Sequence, residues 1–160
     1  MPAVGSVASG EGLYRAVREV VERYAFAVDA GDLDAAAALF DEDAVLALPV
    51  DAAGTELVER VGRPAIRAAL EKVLDNLATH HGVLGVALTE QTPQGAAGVV
   101  TAVARHLRAS AEPLVETWMI RYHDRYVVRD GRVRIARREL QRLWVERATP
   151  TGLRSDWSGD

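Results

Sequence analysis

Residues 22–49 constrain the fold of this chain most strongly, because they join two helices and a strand through a closely specified turn. A helix running through Tyr24 is predicted to end at residues 29–31, where Gly31 suits the left-handed position that follows many helices. Asp32 has a side chain typical of a helix N-cap, so a second short helix is expected directly after it, over residues 33–40. The alternation over residues 44–48 predicts the first strand.

Asp29 is the unexpected residue of this segment. Its carboxylate lies in the last turn of the predicted helix, where the negative end of the helix dipole disfavours an anion. Ideal helical geometry places it about 140° around the axis from Tyr24, outside the apolar stripe. Two interpretations remain open, namely a solvated acid at a helix end and a functional carboxylate.

Hydrophobic periodicity predicts the first and third helices. The first is expected to open at Ser9 or Glu11, and Pro64 suits the first position of the third. Residues 51–61 are expected to form a connection. The apolar positions at helical spacing are Leu13, Val17, Val20, Val21, Tyr24 and Val28 in the first helix, and Ile66, Leu70, Val73, Leu74 and Leu77 in the third.

The pattern changes from helices to strands after the third helix. Valine-rich and alternating stretches predict strands over residues 80–89, 97–107, 114–128 and 133–145. The dipeptide Asp130-Gly131 predicts a two-residue hairpin turn between the last two strands. If these are the turn residues, Asp124 is expected opposite Arg137, and Tyr122 opposite Glu139.

This order of elements predicts an α+β fold, with three N-terminal helices packed on one face of a strongly curved, mainly antiparallel sheet. Such a cone has an apolar interior that suits a small hydrophobic molecule. With 160 residues the chain is long enough to bury one core. The domain is expected over residues 10–147, between a flexible leader at residues 1–9 and a polar tail at residues 148–160.

Composition excludes several classes of function. A net charge of −4 gives no reason to expect a nucleic-acid partner. The chain has no cysteine, which excludes a thiolate nucleophile and a cysteine-based zinc site. It has neither a signal peptide nor an uncharged run of roughly 20 residues, so a cytoplasmic protein without a membrane partner is expected. Nine arginines lie between residues 121 and 147, most simply on a solvated sheet face or in salt bridges.

Four motifs, in this order, resemble the SnoaL-like family of the NTF2-like superfamily, which includes scytalone dehydratase, bile acid 7α-dehydratase and polyketide cyclases. They are Tyr24-x4-Asp29-x2-Asp32, Leu39-Phe40-x2-Asp43-Ala44, Gly62-Arg63-x-Ala65-Ile66, and Arg121-Tyr122-His123-Asp124 before the Asp130-Gly131 turn. The resemblance covers residues 10–147 and implies the NTF2-like cone. One departure is Val133, where many relatives have a tryptophan after the hairpin glycine.

The resemblance also implies site residues. In the dehydratases of this group, a tyrosine and an aspartate of the first helix line the pocket with a histidine of the next strand and a further polar residue. These positions correspond to Tyr24, Asp29, His80 and His106. Since His80 and His81 are adjacent on a strand, they point to opposite faces and only one enters the interior. The resemblance selects His80, whereas the residues alone leave both open, and they equally allow Tyr24 to be a core residue and His106 to lie on a fraying strand.

The implied chemistry is acid–base catalysis without a metal or an organic cofactor. Asp29 would fix the tautomer of His80 as a base, Tyr24 would donate to a substrate carbonyl, and His106 would be a second acid. This set indicates a lyase or isomerase of the dehydratase or cyclase type, acting on an apolar ring-containing molecule such as a polyketide or steroid.

Two alternative functions remain open, and an oligomeric state is expected. The alternatives are a non-catalytic module that binds a small hydrophobic ligand or serves in assembly, and the small subunit of a ring-hydroxylating oxygenase, which has no site of its own. A homodimer or homotrimer is expected to form through the outer face of the sheet.

Overall fold

A computed structural model describes residues 10–51, 53–74, 77–108 and 112–152. In chain order its elements are α1 (Gly10–Asp29), α2 (Leu33–Ala38), β1 (Phe40–Pro49), β2 (Leu57–Val61), α3 (Arg63–Leu74), β3 (Leu77–Thr92), β4 (Gly95–Arg108), β5 (Leu114–Arg129) and β6 (Arg132–Ala148). The three predicted helices and the five predicted strands are present, and all five strands are longer than expected. The second and third helices are shorter, because Phe40 begins β1 and Leu77 begins β3 instead of belonging to these helices. The predicted leader, and residues 153–160 of the predicted tail, lie outside the described residues.

The turn between α1 and α2 forms as its local chemistry predicts. Gly31 has a φ of 69°, which is favourable for glycine and costly for most other residues. The Asp32 carboxylate accepts a hydrogen bond of 2.9 Å from the Ala35 backbone N–H, and thereby satisfies one free donor of the first turn of α2. This turn fixes the C-terminal end of α1, where Asp29 lies.

One mixed sheet of six strands forms the other layer, in the order β2-β1-β6-β5-β4-β3. The β1–β6 pair is parallel and the other neighbouring pairs are antiparallel. The interpretation of residues 51–61 as a connection is wrong in part, because β2 forms there as an edge strand. With five residues that alternate between exposed and half-buried, β2 has too short a pattern to be recognised by periodicity.

The core lies between the three helices and the curved sheet that they cover on one side, and this confirms the predicted α+β layout. The apolar stripe of α1 packs there as predicted, from Leu13 to Val28, and β4 contributes small side chains, among them Ala102 and Ala104. Small residues on β4 leave the concave side of the sheet less filled than large residues would. Within the described ranges, no helix is long and apolar enough to cross a membrane.

The hairpin between β5 and β6 has the predicted turn but a different register. Asp130 and Gly131 have φ values of 51° and 71°, as a two-residue hairpin turn of this kind requires. A bulge follows, however, because Arg125 pairs with Arg137 while Tyr126 pairs with Ile135. The extra residue shifts the register by one, so that Asp124 lies opposite Arg138 and not Arg137 as expected.

Candidate active site

Asp29 is held at the end of α1 by three hydrogen bonds from β3. Its Oδ1 accepts from the Thr79 hydroxyl at 2.9 Å and lies 2.6 Å from His81 Nδ1. Its Oδ2 accepts from the His81 backbone N–H at 2.7 Å. The position is unfavourable for the helix alone, and these donors from another element are the physical reason why a carboxylate is stable there.

The expected pairing of Asp29 with His80 is corrected by this geometry. The His80 side chain is 77% exposed and its Nδ1 lies 3.9 Å from Asp29 Oδ2, whereas the His81 side chain is 9% exposed. Alternate residues of a strand share a face, so Thr79 and His81 both point inward and His80 points out. His81 therefore takes the place that the sequence analysis gave to His80.

The ionisation of Asp29 fixes the tautomer of His81. Burial raises the pKa of the Asp29 carboxyl, but the hydrogen bonds from His81 and Thr79 outweigh this effect and hold the pKa below its usual range. An ionised carboxylate only accepts hydrogen bonds, so His81 Nδ1 carries the proton that lies between them. In the neutral ring Nε2 is then unprotonated and available as a base.

His106 lies close to His81 in the interior of the cone. The two ring centroids are 6.0 Å apart, and the His106 ring is 4.6 Å from that of Trp118. Burial and the nearby His81 lower the pKa of His106 to about 4, although the Glu116 carboxylate and backbone raise it in part. His106 is thus uncharged near neutral pH, and it is suited to hydrogen bonding more than to the role of a charged acid.

Tyr24 belongs to a second group of polar residues, which lies more than one turn before Asp29 along α1. The Arg138 guanidinium lies over the rings of Tyr24 and Tyr122, at 4.5 and 4.1 Å from their centroids. Burial raises the pKa of Tyr24, so its hydroxyl stays protonated and can act as a donor. The Asp29 charge also contributes to the raised pKa of Tyr122, which packs against Tyr24, and this connects the two groups electrostatically.

Arg138 is the buried charge that sequence reasoning missed. It forms a bidentate ion pair with Asp124, with Nε–Oδ1 and Nη2–Oδ2 distances of 2.9 and 2.6 Å, and neither side chain is exposed. The Tyr126 hydroxyl donates to the same carboxylate. Only the hydrogen-bonding capacity of Asp124 could have indicated a buried partner, because the surrounding arginines make β6 resemble a solvated strand.

The structure therefore brings Asp29, His106 and the unexpected His81 into one cluster, places Tyr24 in the adjoining group, and leaves His80 on the outer face. Thr79 and Trp118 join the cluster, and sequence reasoning missed both. Among the residues that the structure describes, no group of three His, Asp or Glu side chains is arranged to hold a metal ion. The cluster consists of a hydrogen-bonded base and a neutral imidazole, which is a set suited to moving and holding protons.

Comparison with known proteins agrees with this architecture. A SnoaL-like domain model matches residues 13–139. A search of curated proteins found no significant match. Among solved structures, the chain is similar to a candidate scytalone dehydratase from Novosphingobium aromaticivorans, with 22% identity over 88% of this chain and 89% of that chain and a TM-score of 0.72.

Two further solved structures share the fold. One is a type 2 hexachlorocyclohexane dehydrochlorinase, LinA, with 13% identity, coverage of 92% of this chain and 97% of that chain, and a TM-score of 0.75. The other is the beta subunit of a candidate aromatic-ring-hydroxylating dioxygenase from Novosphingobium aromaticivorans, with 18% identity, coverage of 80% and 87%, and a TM-score of 0.65. At these identities the likeness shows the fold alone.

Proposed function

This chain belongs to the SnoaL-like domain family of NTF2-like α+β cones, and on that basis we propose that it is a cofactor-independent lyase or isomerase. Its substrate is an apolar ring-containing small molecule, such as a polyketide or steroid. The observation that carries the proposal is the 2.6 Å contact between Asp29 Oδ1 and His81 Nδ1, which leaves His81 Nε2 free to accept a proton.

In the proposed reaction, His81 Nε2 removes a proton from a carbon next to a carbonyl group. The electrons of the broken C–H bond move to the carbonyl oxygen, and the Asp29 carboxylate stabilises the imidazolium that forms. Tyr24 is the proposed donor to the developing enolate oxygen, because its hydroxyl remains protonated. In a dehydration, the enolate electrons re-form the carbonyl and create a C=C bond as the adjacent C–O bond breaks, and the proton on His81 leaves with the hydroxide as water. In an isomerisation, that proton returns to another carbon of the ring.

The names of two structural neighbours support a reaction of this kind. A dehydratase and a dehydrochlorinase both remove a small group together with a proton, and each shares the fold of this chain. His106 is proposed to act as a neutral hydrogen-bonding partner of the substrate, because its lowered pKa disfavours a charged acid near neutral pH.

Exchange of carbon-bound protons tests the first step without knowledge of the natural substrate. 2-Tetralone, a ring ketone with acidic carbon-bound protons, is incubated in D₂O with the protein, and deuterium incorporation is followed by NMR. The wild-type protein is expected to accelerate exchange, and His81→Gln to slow the enzymatic rate by about 10²-fold or more, as for the loss of a general base. His80→Gln is the matched control, since that side chain is mostly exposed and adjacent in sequence.

Two results would contradict the proposed role of His81. In one, His81→Gln exchanges as fast as the wild type. In the other, His80→Gln loses as much activity as His81→Gln. A protein that binds the ketone without accelerating exchange would favour the alternative function, a non-catalytic ligand-binding module.

A second candidate function is that of a non-catalytic subunit of a larger assembly. It is favoured by Trp144, which is 51% exposed on β6, and by the likeness of the fold to a dioxygenase beta subunit. The expected assembly of the enzyme itself is a homodimer or homotrimer through the outer sheet face. Light scattering after size-exclusion chromatography distinguishes them, because a stable monomer that also lacks exchange activity would point to a missing partner chain.

A further inference from the structure

Two buried nitrogen atoms in the His106 region have no hydrogen-bond partner. They are His106 Nδ1 and Trp118 Nε1. His106 is buried, with only 5% of its surface exposed, and Trp118 is partly buried against the core. A buried polar atom without a partner is costly, and it commonly marks a position that a ligand or a water molecule completes.

The two atoms belong to rings that lie side by side. The ring centroids are 4.6 Å apart and the ring planes are tilted by 56°. Arg142 packs over the indole at 5.0 Å from its centroid, and its Nη2 donates to the Asp51 carbonyl oxygen at 2.9 Å. The indole is thereby held between the imidazole and the guanidinium.

We propose that Trp118 and His106 form a specificity subsite that binds a neutral hydroxyl group on the ring-containing ligand. The inference rests on the proposed function, which supplies that class of ligand. It adds a requirement on the substrate, namely an oxygen atom bound at a position separate from the His81 base, whose ring centroid is 6.0 Å from that of His106.

The chemistry of the two nitrogens selects this class of group. The indole N–H is only a donor, so its partner must contain an acceptor. The Glu116 backbone is hydrogen-bonded to the His106 ring, and because Nδ1 has no partner, Nε2 is the donor. In the neutral ring Nδ1 is then an acceptor, which a hydroxyl group satisfies and a carbonyl oxygen does not. An ammonium group or an apolar substituent would leave the indole N–H without an acceptor.

The charges around the subsite favour a neutral group over a carboxylate. His106 resists protonation, because its pKa is lowered to about 4, and it therefore does not supply a cation near neutral pH. The Glu116 carboxylate faces the same ring from β5 and would repel an anion, although Arg147 bonds to it at 2.7 Å. The Arg142 guanidinium lies over the indole and would attract an anion. An anionic probe is therefore included in the experiment.

Three naphthalene probes with the same ring test the subsite: 2-naphthol, naphthalene and 2-naphthoate. Their dissociation constants are measured by fluorescence for the wild type, Trp118→Phe and Trp144→Phe. Trp118→Phe keeps an aromatic ring but removes the N–H. Trp144→Phe is the matched control, because its Nε1 donates to Glu146 at 3.3 Å and its side chain is exposed.

The expected result is a preference of the wild type for 2-naphthol over naphthalene by about five- to tenfold, as for one or two net hydrogen bonds. Trp118→Phe should lose that preference without weaker naphthalene binding, and Trp144→Phe should keep it. An independent readout on the wild type is the indole ¹H–¹⁵N signal of Trp118, which should move downfield with 2-naphthol and not with naphthalene.

Several results would overturn the subsite. Equal binding of 2-naphthol and naphthalene, with no downfield shift, would show that a water molecule completes the two nitrogens. Retention of the full preference in Trp118→Phe would exclude the indole N–H, and tighter binding of 2-naphthoate than of 2-naphthol would exclude a neutral group. Absence of binding by all three probes would contradict the inference as well.

The same probes separate this inference from the proposed function. His81→Gln removes the base but leaves Trp118 and His106 in place, so the 2-naphthol preference should persist in that variant. A preference without any proton-exchange activity in the wild type would support the subsite and contradict the enzyme. Exchange activity without a preference would do the reverse.

Discussion

The buried ion pair between Asp124 and Arg138 predicts a large and specific loss of stability for Asp124→Asn. That change removes the negative charge while nearly preserving the volume of the side chain. The guanidinium would remain fully buried, with two hydrogen bonds of 2.9 and 2.6 Å weakened and only neutral groups, among them the rings of Tyr24 and Tyr122, around it.

The magnitude follows from the uncompensated charge. Removal of one partner of a buried pair costs about 3–5 kcal/mol, because the other charge loses its compensation and cannot return to water. The contacts of the guanidinium with two aromatic faces are present in the wild type as well, so they do not reduce this loss. For a protein of this length the loss corresponds to a decrease in melting temperature of about 6–20 °C.

The assay is urea unfolding followed by circular dichroism at one fixed protein concentration, which keeps any contribution of assembly constant. Arg18→Gln is the control, because its ion pair with Glu22 has a similar distance of 2.9 Å but lies on the surface of α1. That variant should unfold at nearly the same urea concentration as the wild type, because an exposed ion pair contributes little to stability.

A double substitution tests the physical reason. Asp124→Leu combined with Arg138→Met removes both charges and fills similar space. It is made in a background that carries Tyr126→Phe, because the Tyr126 hydroxyl would otherwise lose its acceptor, and it should then recover most of the stability that Asp124→Asn loses. A loss below about 1 kcal/mol for Asp124→Asn would refute the reasoning, since it would mean that the guanidinium reaches solvent or another anion. A double variant as unstable as the single one would attribute the cost to packing.

Two further predictions concern His106 and β4. The NMR signals of the His106 ring should titrate with a midpoint of about 4, below the usual 6.5. As the pH decreases, the imidazole becomes protonated in the unfolded chain at a higher pH than in the folded one, so the free energy of unfolding should fall by up to about 3 kcal/mol between pH 6.5 and 4. His106→Phe should make stability depend less on pH over this range. A midpoint near 6.5 would contradict the prediction. Gly98→Ala should cost about 1–3 kcal/mol in urea unfolding, because its Cβ would lie 2.4 Å from the Ala87 carbonyl oxygen. Gly85→Ala is the control, because a Cβ there has no neighbour within 4 Å. Equal stability of the two variants would show that β3 moves to accommodate the new methyl group.

The histidine of the site could have been identified from the sequence by a stricter use of strand register. A two-residue turn at Pro93 and Gln94 places odd-numbered residues of β3 opposite even-numbered residues of β4. If His106 faces the interior, His81 then faces it as well, and His80 does not. The two bulges of β3 shift this register by two residues in total, so the alternation is preserved and His81 lies opposite Ala104.

The register of β5 against β6 was harder to predict from the sequence. The hairpin turn alone predicts Asp124 opposite Arg137, and the bulge replaces that partner by Arg138. The sequence shows the bulge only indirectly. Ile135 and Leu140 are both buried, although an odd-numbered and an even-numbered residue of a regular strand would face opposite sides. Which of two adjacent arginines is buried depends on the position of a single extra residue, and no turn or cap specifies it.

The sequence by itself determined the features that depend on neighbouring residues. The Gly31 turn, the Asp32 cap, the Asp130-Gly131 hairpin and the apolar stripe of α1 are local, because steric restriction, capping and periodicity act within a few residues. They set the order of the elements and hence the α+β cone.

Only the tertiary structure decided which polar groups meet. Asp29 receives its three hydrogen bonds from a strand about 50 residues away, and Arg138 is buried because Asp124 and two tyrosines enclose it. A buried charge is stable only when partners on several elements compensate its desolvation together. Such compensation is a property of the assembled interior, and no single segment of the sequence contains it.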